Sequence, residues 1–150
     1  MMLSEQERIR RDALSELRKL GIDPYPAAEY KTNAYAADIL NEFDRDESKF
    51  GDVCLAGRIM SRRIMGSASF AELMDSTGRI QIYARRDDIC PGEDKTLYNT
   101  VFKRLLDIGD IIGVKGHVFR TQMGEITVHV REFTLLSKSL RPLPVVKEKD

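Results

Sequence analysis

Between residues 50 and 138 the chain alternates apolar and polar positions with a period of two, the mark of strands buried on one face. Val53, Leu55, Gly57 and Ile59 alternate with Cys54, Ala56, Arg58 and Met60, and the run continues to Met65 as one long, bent strand. Gly57 inside it predicts a bulge or sharp bend. After a turn at Gly66 and Ser67, a second strand puts Ala71 and Leu73 on one face and Phe70, Glu72 and Met74 on the other. A hairpin turn at 76–78 leads to a third, with Ile80, Ile82 and Ala84 inward and Arg79, Gln81, Tyr83 and Arg85 outward. A turn-rich stretch at 87–93 precedes a longer period over 94–106, which reads as a helix burying Leu97, Val101, Phe102 and Leu105. Strand four, 110–120, is interrupted by Gly113 and Gly116. Strand five sets Ile126, Val128 and Val130 against Glu125, Thr127, His129 and Arg131, with a bulge at Glu132 before Phe133 and Leu135.

Upstream the period is helical. Ser4 and Glu7 form a capping-box pattern, and Ile9, Ala13, Leu17 and Leu20 make a narrow apolar stripe ended by Gly21. Arg8, Arg11 and Arg18 lie off the stripe and read as a solvated face. Pro24 and Pro26 mark a connector. Thr32 or Asn33 is expected to cap a second helix ending near Phe43. Pro142 and Pro144, in a charged segment without a core, read as an interdomain linker. Five strands, a helix between the third and fourth, a bent first strand and interior glycines predict a mainly β fold: a five-stranded OB-fold Greek-key barrel with N-terminal helices. The expected units are a helical extension at 1–49, the barrel at 50–138, and at 139–150 a linker to a further domain absent from this chain.

Composition changes this picture in one respect. Over 150 residues, 24 basic side chains balance 24 acidic ones. A neutral chain is poorly suited to coating nucleic acid indiscriminately. The charge is nonetheless uneven: 57–86 holds six arginines (58, 62, 63, 79, 85 and 86) against Glu72 and Asp75. Cys54 and Cys90 lack the spacing of a metal site with His117 and His129, and neither a metal nor a disulfide is expected. The N-terminus resembles no targeting peptide and no apolar run spans a bilayer, so a soluble, cytoplasmic protein without a membrane partner is expected.

Barrels of this type bind single strands on the outer faces of strands two and three. Phe70 faces outward there, as a stacking platform for a base. Gln81 lies outward on the next strand, and its amide suits a base edge. Glu125 opens strand five, where a carboxylate accepts from a base N–H more readily than it approaches phosphate. Arg58, Arg62 and Arg63 suit phosphate contact or base stacking, and equally suit solvated strand positions. No nucleophile–base pair or glycine-rich phosphate loop is apparent, so the chain is expected to bind, with no catalytic residue of its own.

The segments SRRIMGSASFAELMDSTGRIQIYARRDD, TQMGEITVHV and LLSKSLRPLP closely resemble the N-terminal anticodon-binding domain of bacterial-type class II lysyl-tRNA synthetases, over nearly the whole chain. The resemblance implies anticodon reading with uridine at the central position. It implies that Phe70 stacks on a base, that Gln81 and Glu125 hydrogen-bond bases, and that Arg63 adds a contact, with Arg58 and His129 near the same surface. Ser67 departs from the pattern, where many relatives carry lysine. The resemblance further implies a tRNA(Lys) anticodon loop as partner, no DNA partner, and a homodimer in the full-length protein. No cofactor is implied within this fragment; ATP and Mg2+ belong to the missing catalytic domain. Aspartyl- or asparaginyl-tRNA synthetase barrels, a general single-strand binder and a protein-interaction barrel are the competing readings.

Overall fold

The computed structural model describes residues 4–23 and 29–140. Its five strands are β1 (Val53–Met65), β2 (Ala68–Met74), β3 (Arg79–Arg85), β4 (Ile111–Arg120) and β5 (Ile126–Ser137). They close into a barrel in the order β1-β2-β3-β5-β4. β3 runs parallel to β5, and the other neighbours are antiparallel. β1 is long because it serves two partners: Val53–Arg58 pairs with β4, and Arg58–Met65 pairs with β2. Gly57 sits at this handover. A Cβ there would lie 3.0 Å from the Met74 carbonyl oxygen, so the missing side chain permits the close crossing.

Of the bulge or sharp bend expected at Gly57, the bulge lies three residues on, at Met60. Ile59 pairs with Leu73 but Ser61 with Glu72, so Met60 is the extra residue. Its insertion inverts the alternation: Ile59 is buried before it, Arg62 is buried after it and Arg63 is exposed. On β5 the register slips so that Lys115 pairs with Glu132 and Gly116 with Val130, leaving Arg131 as the extra residue, one position from the expected bulge at Glu132. A Cβ on Gly116 would lie 1.8 Å from the His129 carbonyl oxygen.

α1 (Glu5–Lys19) begins where expected, with Ser4 Oγ accepting from the Glu7 amide at 3.1 Å. Its inner face differs from the expected stripe. Ala13 and Leu17 are buried, but Ile9 and Leu20 are exposed, and Arg10 is buried, donating from NH1 to the Ile108 carbonyl at 2.8 Å. α2 (Ala36–Glu42) is not capped by Thr32 or Asn33. Asn33 instead bridges to β1, accepting from the Cys54 amide at 2.8 Å. The cap comes from the β2–β3 turn: Asp75 Oδ2 accepts from the Ala36 amide at 2.8 Å.

Between β3 and β4 lie a short helix α3 (Arg86–Ile89) and α4 (Leu97–Leu105), wound as a π-helix. The wider winding shifts the buried face from Leu97 to Tyr98, with Val101, Phe102 and Leu105 buried as expected. Tyr98 stacks on Phe102 with centroids 5.8 Å apart and shares a 2.7 Å hydrogen bond with Ser69, which pins α4 beneath β2. Pro24, Pro26, Pro142 and Pro144 lie outside the described residues. No helix among the described residues is long and apolar enough to cross a membrane.

Candidate nucleic-acid interface

The outer faces of β2 and β3 carry the expected residues, and the register sets them in rows. Phe70 pairs with Arg63 on one side and Tyr83 on the other, and Glu72 pairs with Gln81. Phe70 faces outward and half-exposed, its ring centroid 5.0 Å from that of Tyr83. The Arg63 guanidinium lies 5.7 Å from the Phe70 centroid, within reach of a cation–π contact. Arg63, Phe70 and Gln81 together divide two hollows. One of about 200 Å³ runs toward Ser61 and Glu72. The other, about 560 Å³, runs toward Tyr83, Phe119, Met123 and Glu125.

Glu125 reaches this second hollow from the β4–β5 hairpin. The hairpin is tied by Thr121, whose amide donates to the Glu125 carbonyl at 2.9 Å and whose Oγ1 accepts from the Glu125 amide at 3.1 Å. Among the described residues the Glu125 carboxylate has no hydrogen-bond or ionic partner. The structure thus brings Arg63, Phe70, Gln81 and Glu125 around one hollow. Beneath them Thr127, expected outward, is fully buried: it has the outward parity but is covered by its neighbours. Its Oγ1 accepts from Gln81 Nε2 at 3.0 Å.

The aromatic surface is larger than the sequence indicated. Tyr83 continues to Phe119 at 6.2 Å and to His129 at 5.3 Å, and His129 stacks on His117 at 4.9 Å. Phe70, Tyr83, Phe119, His129 and His117 therefore form a continuous band across β2, β3, β5 and β4. Tyr83 carried a signal in its outward parity. Phe119 and His117 were obscured because Gly113 and Gly116 break the alternation of β4. His129 is held at this band by Asp88, with Nε2 and Oδ2 2.5 Å apart. Burial, then the proximity of His129 and Arg131, lowers the pKa of His117 against the pull of Asp88. His117 is accordingly neutral near pH 7.

The basic patch largely dissolves in the fold. Arg62 is buried, so the phosphate or stacking role considered for it is corrected. Its NH1 donates to the Leu106 carbonyl at 2.6 Å and to the Phe102 carbonyl at 3.3 Å, satisfying the end of α4. Arg58 NH1 donates to the Gly109 carbonyl at 3.0 Å, and Arg58 lines a separate hollow with Tyr30, Tyr35 and Asp75. Arg79 pairs with Glu72 at 2.9 Å, Arg85 with Asp88 at 3.3 Å and Arg86 with Asp87 at 3.0 Å. Of the six, Arg63 alone has neither a carboxylate nor a carbonyl partner among the described residues. No group of three or more His, Cys, Asp or Glu among those residues is arranged to hold a metal.

Residues 53–136 match a family model described as an OB-fold nucleic acid binding domain. Over 149 residues the chain is 69% identical to a lysine–tRNA ligase of Porphyromonas gingivalis, covering 99% of this chain and 26% of that protein. It is 60% identical over 148 residues to a lysine–tRNA ligase of Azobacteroides pseudotrichonymphae, covering 99% of this chain and 29% of that one. With a lysine–tRNA ligase of Pelotomaculum thermopropionicum it shares 52% identity over 142 residues, covering 95% of this chain and 26% of the relative. The chain thus spans about a quarter of the length of these curated relatives.

Proposed function

Because this chain belongs to the OB-fold nucleic acid binding family, we propose that it reads the anticodon loop of tRNA(Lys) as part of a lysine–tRNA ligase. The observation that carries this reading is the hollow shared by Arg63, Phe70, Gln81 and Glu125. It joins a π face, an amide, a carboxylate and a cation, each with bonding capacity left for a ligand. Stacking on Phe70 holds any base, because every base has a π face. Gln81 and Glu125 then select, since both meet base edges and Glu125 is repelled by phosphate. His129 borders this surface through Tyr83, while Arg58 lies apart from it, bonded to the Gly109 carbonyl.

Recognition requires no covalent step. The loop splays a base onto Phe70, Arg63 beside that ring meets the adjoining backbone, and the fixed hairpin presents Glu125 without having to order itself on binding. In the longer protein, lysine activation with ATP and Mg2+, homodimer formation and transfer of lysine to tRNA fall to the part outside this chain, in the cytoplasm. No residue described here is assigned to ATP or Mg2+.

The test is binding of this chain to stem-loop RNAs that share a stem and a seven-nucleotide loop and differ only in the central loop base. We expect preference for uridine at the centre over cytidine, adenosine and guanosine. Equal affinity for all four loops and for unrelated single strands would replace anticodon reading with general single-strand binding. No affinity for any RNA would favour a protein-interaction barrel.

A further inference from the structure

We propose that Thr127 is a positioning residue for base selection: its buried hydroxyl fixes which end of the Gln81 amide faces the incoming base. This rests on the reading of Gln81 given above and extends it to a residue that contacts no RNA.

Thr127 sits on β5 directly beside Gln81 in the β3–β5 register and beside Phe119 in the β4–β5 register. It is fully buried, so its hydroxyl has only protein partners to choose from. A hydroxyl carries one proton. The Glu125 carbonyl, 3.2 Å from Thr127 Oγ1, can only accept, and the hydroxyl directs its proton there. The oxygen is then left to accept, and it does so from Gln81 Nε2 at 3.0 Å. Were the amide turned over, Oε1 could be met only by drawing that proton away from the Glu125 carbonyl, and the network would hold one hydrogen bond fewer. The relay from Gln81 through Thr127 to the Glu125 carbonyl therefore locks the amide.

The amide so held leaves Oε1 and its second N–H free on the side away from Thr127, and Gln81 lines the hollow shared with Phe70 and Glu125. A base stacked on Phe70 thus meets an acceptor with a donor beside it. Uracil matches that pair with its N3–H and adjacent carbonyl. Cytosine presents at the same ring position an unprotonated N3, which would oppose Oε1. A free glutamine turns over to suit either base. A locked one does not, and sites whose polar groups are left unpaired by the wrong base discriminate strongly. The relay also ties Gln81 to Glu125: the backbone of one base-reading residue orients the side chain of the other.

The experiment measures dissociation constants for two stem-loops differing only in a central uridine or cytidine, using the chain as it stands, Thr127→Val and Thr127→Ser. Valine keeps the shape and removes the hydroxyl, and the Glu125 carbonyl retains the Thr121 amide at 2.9 Å. We expect Thr127→Val to reduce the uridine-to-cytidine preference about tenfold, roughly the worth of one neutral hydrogen bond, and Thr127→Ser to restore it. An unchanged ratio in the valine variant overturns the proposal, as does an equal loss for both loops, the pattern of a merely structural residue. If the unsubstituted chain itself shows no preference, the anticodon reading falls first and the proposal with it. Should Thr127→Val fail to fold, hydrogen exchange of the Gln81 side-chain amide in the unsubstituted protein decides. One of its two protons should be markedly slowed, and equal exchange of both would overturn the lock.

Discussion

Two regions of this barrel are built from the same kinds of residue and do opposite things with them. At the loop 106–110, cations converge from three directions. Arg10 of α1 and Arg62 of β1 donate to the Ile108 and Leu106 carbonyls, and Arg58 donates to Gly109. From the end of β5, buried Lys138 lies 2.9 Å from Asp110, whose other oxygen accepts from the Ser139 amide at 2.8 Å. Burial pushes the pKa of Asp110 up, against the pull of Lys138. On the outer face of β2 and β3, by contrast, Arg63 has no carboxylate or carbonyl partner and Glu125 no cationic one among the described residues, and Arg63 lies against the Phe70 ring. Charge and aromaticity are therefore poor guides to function in this fold. The capacity left over after folding is the better one: the loop clamp spends its polar groups on holding α1, β1 and β5 together, and the face keeps its own for a ligand.

Substitutions should separate the two regions cleanly. The largest effect is expected from Lys138→Met, which leaves Asp110 buried without its counter-ion. It should cost about 3 kcal/mol of stability by urea unfolding, with RNA affinity of the folded protein unchanged. A loss of binding in step with stability would show that the clamp also belongs to the interface. Next, Phe70→Ala should lose about 1–3 kcal/mol of RNA binding while its urea midpoint moves little. The reverse pattern would make Phe70 a packing residue.

A smaller effect is expected at Asp75, which caps α2 from the β2–β3 turn. Burial raises its pKa, but bonds from the Thr77 hydroxyl and from the Ala36, Thr77 and Gly78 amides outweigh it, and the net shift is downward. A depressed folded pKa means that the carboxylate's contribution is complete above the ordinary value of 3.8 and is lost as pH falls through the folded value. Asp75→Asn should therefore destabilise by about 1 kcal/mol near pH 7 and flatten the acid limb of the stability profile below about pH 4. An unaltered acid limb would exclude Asp75 as its source. The smallest effect is expected for Arg63→Met. Phosphate contacts contribute a salt slope of about 0.7 each on single strands, so one available arginine predicts a shallow slope, reduced by roughly that amount in the variant. A steep slope retained in the variant would mean that the paired arginines release their partners on binding.

Much of the fold was legible along the chain. Alternation places Ala71, Leu73, Ile80 and Ile82 inside and Phe70, Gln81 and Tyr83 outside, and all seven lie as expected because β2 and β3 carry no bulge. Prediction failed where a residue's neighbours were set by strands distant in sequence. The Met60 bulge sends Arg62 into the interior and leaves Arg63 outside, although the two are adjacent and identical. The winding of α4 exchanged Leu97 for Tyr98. Asp75, more than thirty positions away, took the cap expected of Thr32 or Asn33.

The local sequence determined the strands, their inward and outward faces, and the polar and aromatic residues set on the outer face, because side-chain parity follows from the geometry of a single strand. Only closure of the barrel decided which of those residues remain available. It paired most of the arginines, joined Phe119, His117 and His129 to Phe70 and Tyr83 in one band, and buried Thr127 under Gln81. Hydrogen-bond satisfaction and burial depend on what arrives from the other strands, and no window along the chain contains that information.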